Sequence, residues 1–276
     1  MLGVPTGSKP TWITRLAGMP VVHKAIRTLH IQQLAERALT VIPLRRKLKD
    51  SGLRYRVRFL ESVLIADELF SRKIYAEAFD HKVVKTFIDL GSNVGYFSVF
   101  AADHTKDRDL IGLVVDGNEN MARESKWHVE ENGLPRITVK HGVVGFPRGV
   151  KEATFFVNPS NVASSAQEVL NPDVPAKGES KPVSVPAIDV FAEWQKIAGD
   201  RRIDLMKVDI EGFEATFIEN SREALALTDR LVIEWHKWVN QRDVIDALLS
   251  EQGLKLQKVI SEDPHCGVAI YDRNVA

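Results

Sequence analysis

The chain of 276 residues contains one cysteine, Cys266. That scarcity excludes an internal disulfide framework and suits a reducing compartment, so a plain structural role is the simplest reading of Cys266 and a cytoplasmic location is expected. No apolar run approaches the ~20 residues of a membrane span. The opening stretch MLGVPTGSKPTWITRLAG also lacks the continuous apolar core of a secretory signal. Internal repeats and low-complexity tracts are absent. Two nucleotide signatures are missing as well: there is no Walker lysine, and the glycines of TFIDLGSNVGYFS are spaced G-x-x-x-G rather than G-x-G-x-x-G.

What is present is ordinary for a globular protein: 44% hydrophobic and 27% charged residues, enough chain for one large domain with an extension. The formal net charge of zero hides an asymmetry. Residues 1–60 carry twelve Lys and Arg against Glu36 and Asp50, a net +10 that the remainder balances. Such a segment suits an anionic partner, or docks on the acidic body of its own chain or of a sister subunit, which makes a homo-oligomer through the extension one expectation. The boundaries read here are a basic, mostly helical extension over 1–60 and a main domain over 61–276 with an insertion at 146–186.

Val22, Ile26, Leu29, Leu34, Ala38 and Ile42 fall at helical spacing, and Pro43 interrupts that pattern. LRYRVRFL reads as a short strand after a Ser51-Gly52 turn, and ESVLIADELFSRKIYAEAF as helix. From residue 86, strands (TFIDL, LIGLVVD, RITVKHGVV, IDLMKVDI, RLVIEWH) alternate with helices (YFSVFAADH, NMARESKWHVEEN, IDVFAEWQKIAG, FEATFIENSREALAL). After the helical QRDVIDALLSEQG, the closing pair LKLQKVI and GVAIYDR shares a short turn and adds one antiparallel strand. The expected fold is therefore α/β, a doubly wound and mainly parallel seven-stranded sheet. Residues 146–186 break the alternation and read as a substrate loop with a strand pair, ATFFV and PVSVP.

In such a sheet, ligands bind beyond the carboxyl ends of the strands, where strand order reverses. Gly91 and Gly95 allow φ > 0 and a close backbone approach, and the helix from Tyr96 aims its first amides at the same place. Asp89 ends the first strand and suits an ammonium group. Asp116, 27 residues later, ends the second and suits ribose hydroxyls, or caps the following helix. Two acids and a glycine turn without a Walker lysine suggest S-adenosylmethionine (SAM) rather than NAD or ATP.

The wording and order of FIDLGSNVGYFS, VVDGNENM, ENGLPRITV, VPAIDVFAE, IDLMKVDIEGFE and LVIEWH resemble the FkbM-type family of SAM-dependent methyltransferases, over about residues 60–272. MKVDIEGFE is the most specific piece. Asp116-Gly117 departs from the Glu-Pro common there. The resemblance implies a Rossmann-like class I fold, an oxygen acceptor, and cofactor contacts at Asp89, Gly91, Ser92, Asn93, Gly95, Tyr96, Phe97, Ser98, Asp116, Gly117, Asn118, Gly142, Val143 and Asp209.

Methyl transfer is an in-line displacement, and alignment alone is worth ~7–11 kcal/mol of barrier. A hydroxyl acceptor also needs a base or an acidifying metal. Asp209 follows the fourth strand, and Glu234 and His236 lie on one side of the fifth. These three are the expected catalytic residues, with His236 as base and Glu234 orienting it. Glu211 and Glu214 cap the next helix or face solvent. The trio also matches the donors of a divalent metal such as magnesium, but nothing in the spacing demands one, and no metal is assigned. Asn161, Ser164 and Ser165 suit a hydroxylated substrate or a solvated loop. Trp235 and Trp238 flank His236 and suit acceptor stacking or core packing. The leading function is O-methylation of a small molecule, a sugar or natural-product intermediate. RNA methylation through the basic extension is the weaker alternative, since that extension lacks interleaved aromatics. A non-catalytic module ranks last.

Overall fold

The computed structural model describes residues 31–158, 164–167 and 180–273. The expected helix over Val22–Leu29 and the candidate Asn161 lie outside them. The chain divides into two compact units, 1–75 and 76–276.

In the first unit, helix α1 (Ile31–Val41) makes its last backbone bond from Ile42 and stops at Pro43. A strand that the sequence reading missed follows, β1 (Leu44–Lys47), paired antiparallel with β2 (Arg54–Val57). The segment expected as one helix is instead short: α2 (Ser62–Ala66), then a wider π-type turn over Asp67–Arg72 ending at Lys73 in the left-handed region.

The second unit contains β3 (Thr86–Leu90), α3 (Tyr96–Thr105), β4 (Ile111–Asp116), α4 (Glu119–Glu131), β5 (Ile137–His141), β6 (Glu152–Val157), β7 (Lys181–Pro186), α5 (Val190–Ala198), β8 (Leu205–Val208), α6 (Glu214–Asn220), α7 (Arg222–Leu227), β9 (Arg230–His236), α8 (Arg242–Glu251), β10 (Leu254–Glu262) and β11 (Cys266–Arg273). Its main sheet has the order β10-β11-β9-β8-β3-β4-β5. Strands β5, β4, β3, β8 and β9 are parallel, while β11 runs antiparallel to both of its neighbours, as the short terminal turn requires. This is a doubly wound, Rossmann-like α/β sheet. Order reverses between β3 and β8, so the crevice lies above Leu90 and Val208.

Strands β3, β4 and β8 are buried along their whole length, which explains their near-continuous apolar runs. Local signals set the helix ends. Asn118 caps α4 by accepting from the Asn120 amide, and Asp189 caps α5 through Ala192. FEATFIENSREALAL breaks at Ser221 into α6 and α7 rather than forming one helix. Asp204 is structural: its Oδ2 accepts the Lys85 and Thr86 amides at 2.7 and 2.9 Å, fixing the start of β3 beside β8. Arg230 donates two bonds to Asp272 and two more to the Ala78 and Asp80 carbonyls, four of the five donors of a buried fork. The insertion does carry an antiparallel pair, β6–β7, whose Phe155 and Val185 form a small core with Val143.

Candidate active site

Backbone bonds to β4 and one within the turn fix the loop after β3. Gly91 and Ser92 donate to the Val115 carbonyl, and Gly95 donates to Ser92. Gly91 (φ +72) and Gly95 (φ +79) need glycine because protein comes close. A Cβ at Gly91 would sit 1.7 Å from the Asp209 carbonyl oxygen, and one at Gly95 2.6 Å from Ser125 of α4. At these two positions the close neighbours are the Asp209 backbone, just past β8, and Ser125 of α4. The turn is a joint of the sheet as well as a rim of the crevice.

Asp116 links both loops. Its Oδ2 accepts the Asn93 amide at 2.7 Å and its Oδ1 the Asn118 amide at 2.8 Å. Burial pushes the carboxyl up to about 7 although these two bonds oppose it. The helix cap is Asn118, not Asp116. The Asn93 side chain accepts from Val94, and Ser92 meets Ser125 across 3.3 Å. Tyr96 and Phe97 are core side chains, against His128 and against Phe79, Phe87 and Phe100, so only their amides face the crevice end of α3. Ser98 is buried, its hydroxyl unpartnered. The Gly142 amide donates to Asp116 O and the Val143 amide to Pro186 O. Gly117 lies under the Phe155 ring, which a Cβ there would meet at 2.7 Å.

The residue that sequence reasoning missed is Lys207. It stands in β8 opposite Asp89 of β3, 6% exposed. Its Nζ lies 3.4 Å from Asp89 Oδ1 and 3.3 Å from Asp209 Oδ2, and donates to the Gly91 carbonyl at 3.3 Å. The ammonium beside Asp89 in this structure is that of Lys207. Asp89 is wholly buried; burial raises its pKa and Lys207 opposes the rise. Burial alone would lower the pKa of Lys207, but Asp209, Asp89 and Glu234 more than offset that, and the net shift is upward. The legible signal was a lysine inside an otherwise apolar buried strand, LMKV.

Beyond β8 the chain turns sharply. Glu211 adopts φ +51 and Gly212 φ +92, the latter packed where a Cβ would strike Trp238. Glu214 opens α6, fully buried, and its Oε1 accepts the Gly212 amide at 3.0 Å. His236 bridges the acids, with Nδ1 3.1 Å from Glu214 Oε1 and Nε2 3.4 Å from Glu211 Oε2. Burial pushes the imidazole down, but Glu214, Glu211 and Glu234 together hold its pKa well above the usual histidine range. Burial and Asp209 push Glu234 up to about 7, and burial pushes Glu211 well up against the pull of His236. Glu211 and Glu214 are thus neither solvated nor mere caps. The structure brings Asp209, Glu234 and His236 together, one donor atom from each lying within 4.8 Å of the others. Ser165 donates to the Glu211 carbonyl and Gln167 to the Gly212 carbonyl, both at 2.7 Å, which ties the insertion to this turn. Ser164 accepts from Asn158, and Trp235 is core, fully buried.

Five carboxylates (Asp89, Asp209, Glu211, Glu214, Glu234) thus face two cations, Lys207 and His236. Burial raises Asp89, Glu211 and Glu234, and a bound sulfonium and ammonium would favour their ionised forms.

Sheet order, glycine turn and strand-end acids define a class I methyltransferase. The family model for the methyltransferase FkbM domain matches residues 89–256. The chain belongs to that family and is a SAM-dependent methyltransferase. No curated protein matches it. Among solved structures, Streptococcus pneumoniae Sp1610 in complex with S-adenosyl-L-methionine aligns at 12% identity over 74% of this chain and 72% of its own (TM-score 0.46). M. jannaschii TYW2 with AdoMet aligns at 14% over 84% and 87% (TM-score 0.42), and M. capricolum TrmK with S-adenosyl-homocysteine at 12% over 75% and 70% (TM-score 0.43).

Proposed function

We propose that the protein methylates a hydroxyl of a small molecule, a sugar or natural-product intermediate, with Glu234 as the proton acceptor. The observation that carries this reading is the Glu234 carboxyl, half-buried beside Asp209 and His236 and pushed up to about 7. A hydroxyl must shed its proton as the methyl arrives, and a base titrating near working pH does this best. His236, the base expected from sequence, has both ring nitrogens against carboxyl groups that raise its pKa well above the usual histidine range, which makes it a poorer proton acceptor than Glu234 near neutrality. Here it is a positioning residue, holding Glu211 and Glu214 in place.

When bound, SAM supplies an electrophilic methyl on sulfur. The α3 amides and Asp116 would hold its nucleoside half, and Asp209 its methionine half. Asp89 acts through Lys207. The same reading takes residues 61–276 as the catalytic domain, with 146–186 inserted over the site, and the cytoplasm as its location.

Asp116→Asn turns an NH2 toward one of two backbone N–H groups and removes the carboxylate offered to a ribose. SAM Kd should weaken tenfold or more, about 1.4 kcal/mol, with a smaller change in kcat. An unaltered Kd by titration calorimetry would remove Asp116 from the cofactor site.

The 4.8 Å grouping of Asp209, Glu234 and His236 also favours a second reading, a divalent cation that acidifies the acceptor. Turnover unaffected by EDTA supports the base. Loss with EDTA that magnesium restores transfers the role to the ion.

A further inference from the structure

We infer that Ser165 and Gln167, in the insertion, are positioning residues of the active site, fixing the turn that brings Glu211 to His236. The role presupposes that Glu234, beside His236, takes the acceptor's proton. The turn needs fixing because its backbone is disfavoured. Glu211 sits at φ +51, a left-handed conformation that a side chain with a Cβ keeps only when its surroundings enforce it. Gly212 follows at φ +92, and together the two turn the chain between β8 and α6. Glu214 holds the amides of this turn, its Oε1 accepting from Ile210 at 3.3 Å and from Gly212 at 3.0 Å. The insertion holds the carbonyls. Ser165 Oγ donates to the Glu211 carbonyl and Gln167 Nε2 to the Gly212 carbonyl, each at 2.7 Å.

The two donors are themselves built in. Ser165 is 3% exposed, and its Oγ also accepts the Gln167 amide at 3.0 Å, so the hydroxyl is used as donor and acceptor at once. Its backbone exchanges two bonds with Phe156 of β6, at 2.8 and 3.2 Å. One residue back along β6, the Phe155 ring covers Gly117, next to Asp116. One strand of the insertion therefore braces both acid-bearing loops. An anchor for the insertion could use any carbonyl on the body of the domain. These two belong to the turn whose Glu211 carboxyl lies 3.4 Å from His236 Nε2. A group displaced by about 1 Å can cost on the order of 10²-fold in rate, which is the scale of what the tether protects.

The test is NMR of the full chain with isotope-labelled histidine at about pH 6, below even the usual histidine pKa of ~6.5, where the His236 ring carries a proton on both nitrogens. Wild type should show two ring N–H signals, assigned by their absence from His236→Gln. In Ser165→Ala with Gln167→Met, the Nε2–H signal, which faces Glu211, should be lost to exchange with water. The Nδ1–H signal, which faces Glu214 at 3.1 Å, should remain and reports that the site is still folded. Glu211→Ala should give the same selective loss, and Ser165→Thr, which keeps the hydroxyl, should keep both signals. Both signals retained in the double variant would reduce the pair to an anchor of the insertion and overturn the proposal. Both signals lost would overturn it too, because the effect would not then run through Glu211. Wild-type turnover by Glu234→Gln would remove the proposed base and leave these signals in place, so the two readings fail separately.

Discussion

Lys207→Met should lower the thermal midpoint by on the order of 10 °C and abolish SAM binding. The lysine is the cation beside Asp89, whose two oxygens are buried and accept no other hydrogen bond. Removing one partner of a buried pair leaves an uncompensated charge, typically a loss of ~3–5 kcal/mol. For a unit of this size each kcal/mol shifts the midpoint by about 2–4 °C. The same ammonium holds Asp209 and the Gly91 carbonyl, so the floor of the crevice loses its alignment too. Asp89→Asn in the Lys207→Met background removes the orphaned charge and should recover much of the stability without restoring binding. Lys207→Arg should recover little of either, because a planar fork does not replace a point charge among three converging oxygens. The double-mutant cycle is the measurement that decides: stability losses that add, with no coupling between positions 89 and 207, would mean that the pair is incidental.

The fold was readable wherever burial on both faces wrote itself into composition. TFIDL and RLVIEWH match their strands residue for residue, and the terminal pair gave away the antiparallel member of the sheet. Strand β1 was not readable, because LRRK shows no apolar alternation and its partner's register, not its own pattern, makes it a strand. The acids of the candidate site stood out because charged groups at the ends of apolar strands are conspicuous. Their protonation was hidden. His236 looked like a base because its ordinary pKa is near neutrality, whereas two carboxyl groups brought in by the Glu211 turn and by α6 raise it. Lys207 and Phe155 escaped for a related reason. The partners that define them, Asp89 and Gly117, lie far away in sequence, and only the parallel register and the folded insertion deliver them.

Glu234→Gln should separate chemistry from stability through pH. For the wild type, the unfolded carboxyl titrates near its ordinary 4.5 and the folded one near 7. The folded protein therefore binds the proton more tightly, and the stability present below about pH 4.5 is lost as pH rises through about 7. At 1.36 kcal/mol per unit the loss is ~3 kcal/mol at most, an upper bound because the side chain is half-buried and water screens it. The amide has no such proton to lose. Wild type and variant should melt together near pH 4 and diverge progressively between about pH 4.5 and 7, the gap then staying constant, with the variant the more stable. Activity runs the other way. Wild-type kcat should climb through about pH 7 as Glu234 ionises, and the variant should be flat and slower by about 10²–10⁴-fold, the usual worth of a general base. His236→Gln should leave the pH midpoint of any residual rate governed by Glu234, moved upward because the nearby positive charge is gone. A wild-type profile without an inflection near 7, or a Glu234→Gln enzyme with wild-type turnover, would return the proton to another acceptor. A variant no more stable than wild type above pH 7 would show that the carboxylate is already neutralised in the folded chain, by its cationic neighbours or by an ion shared with Asp209.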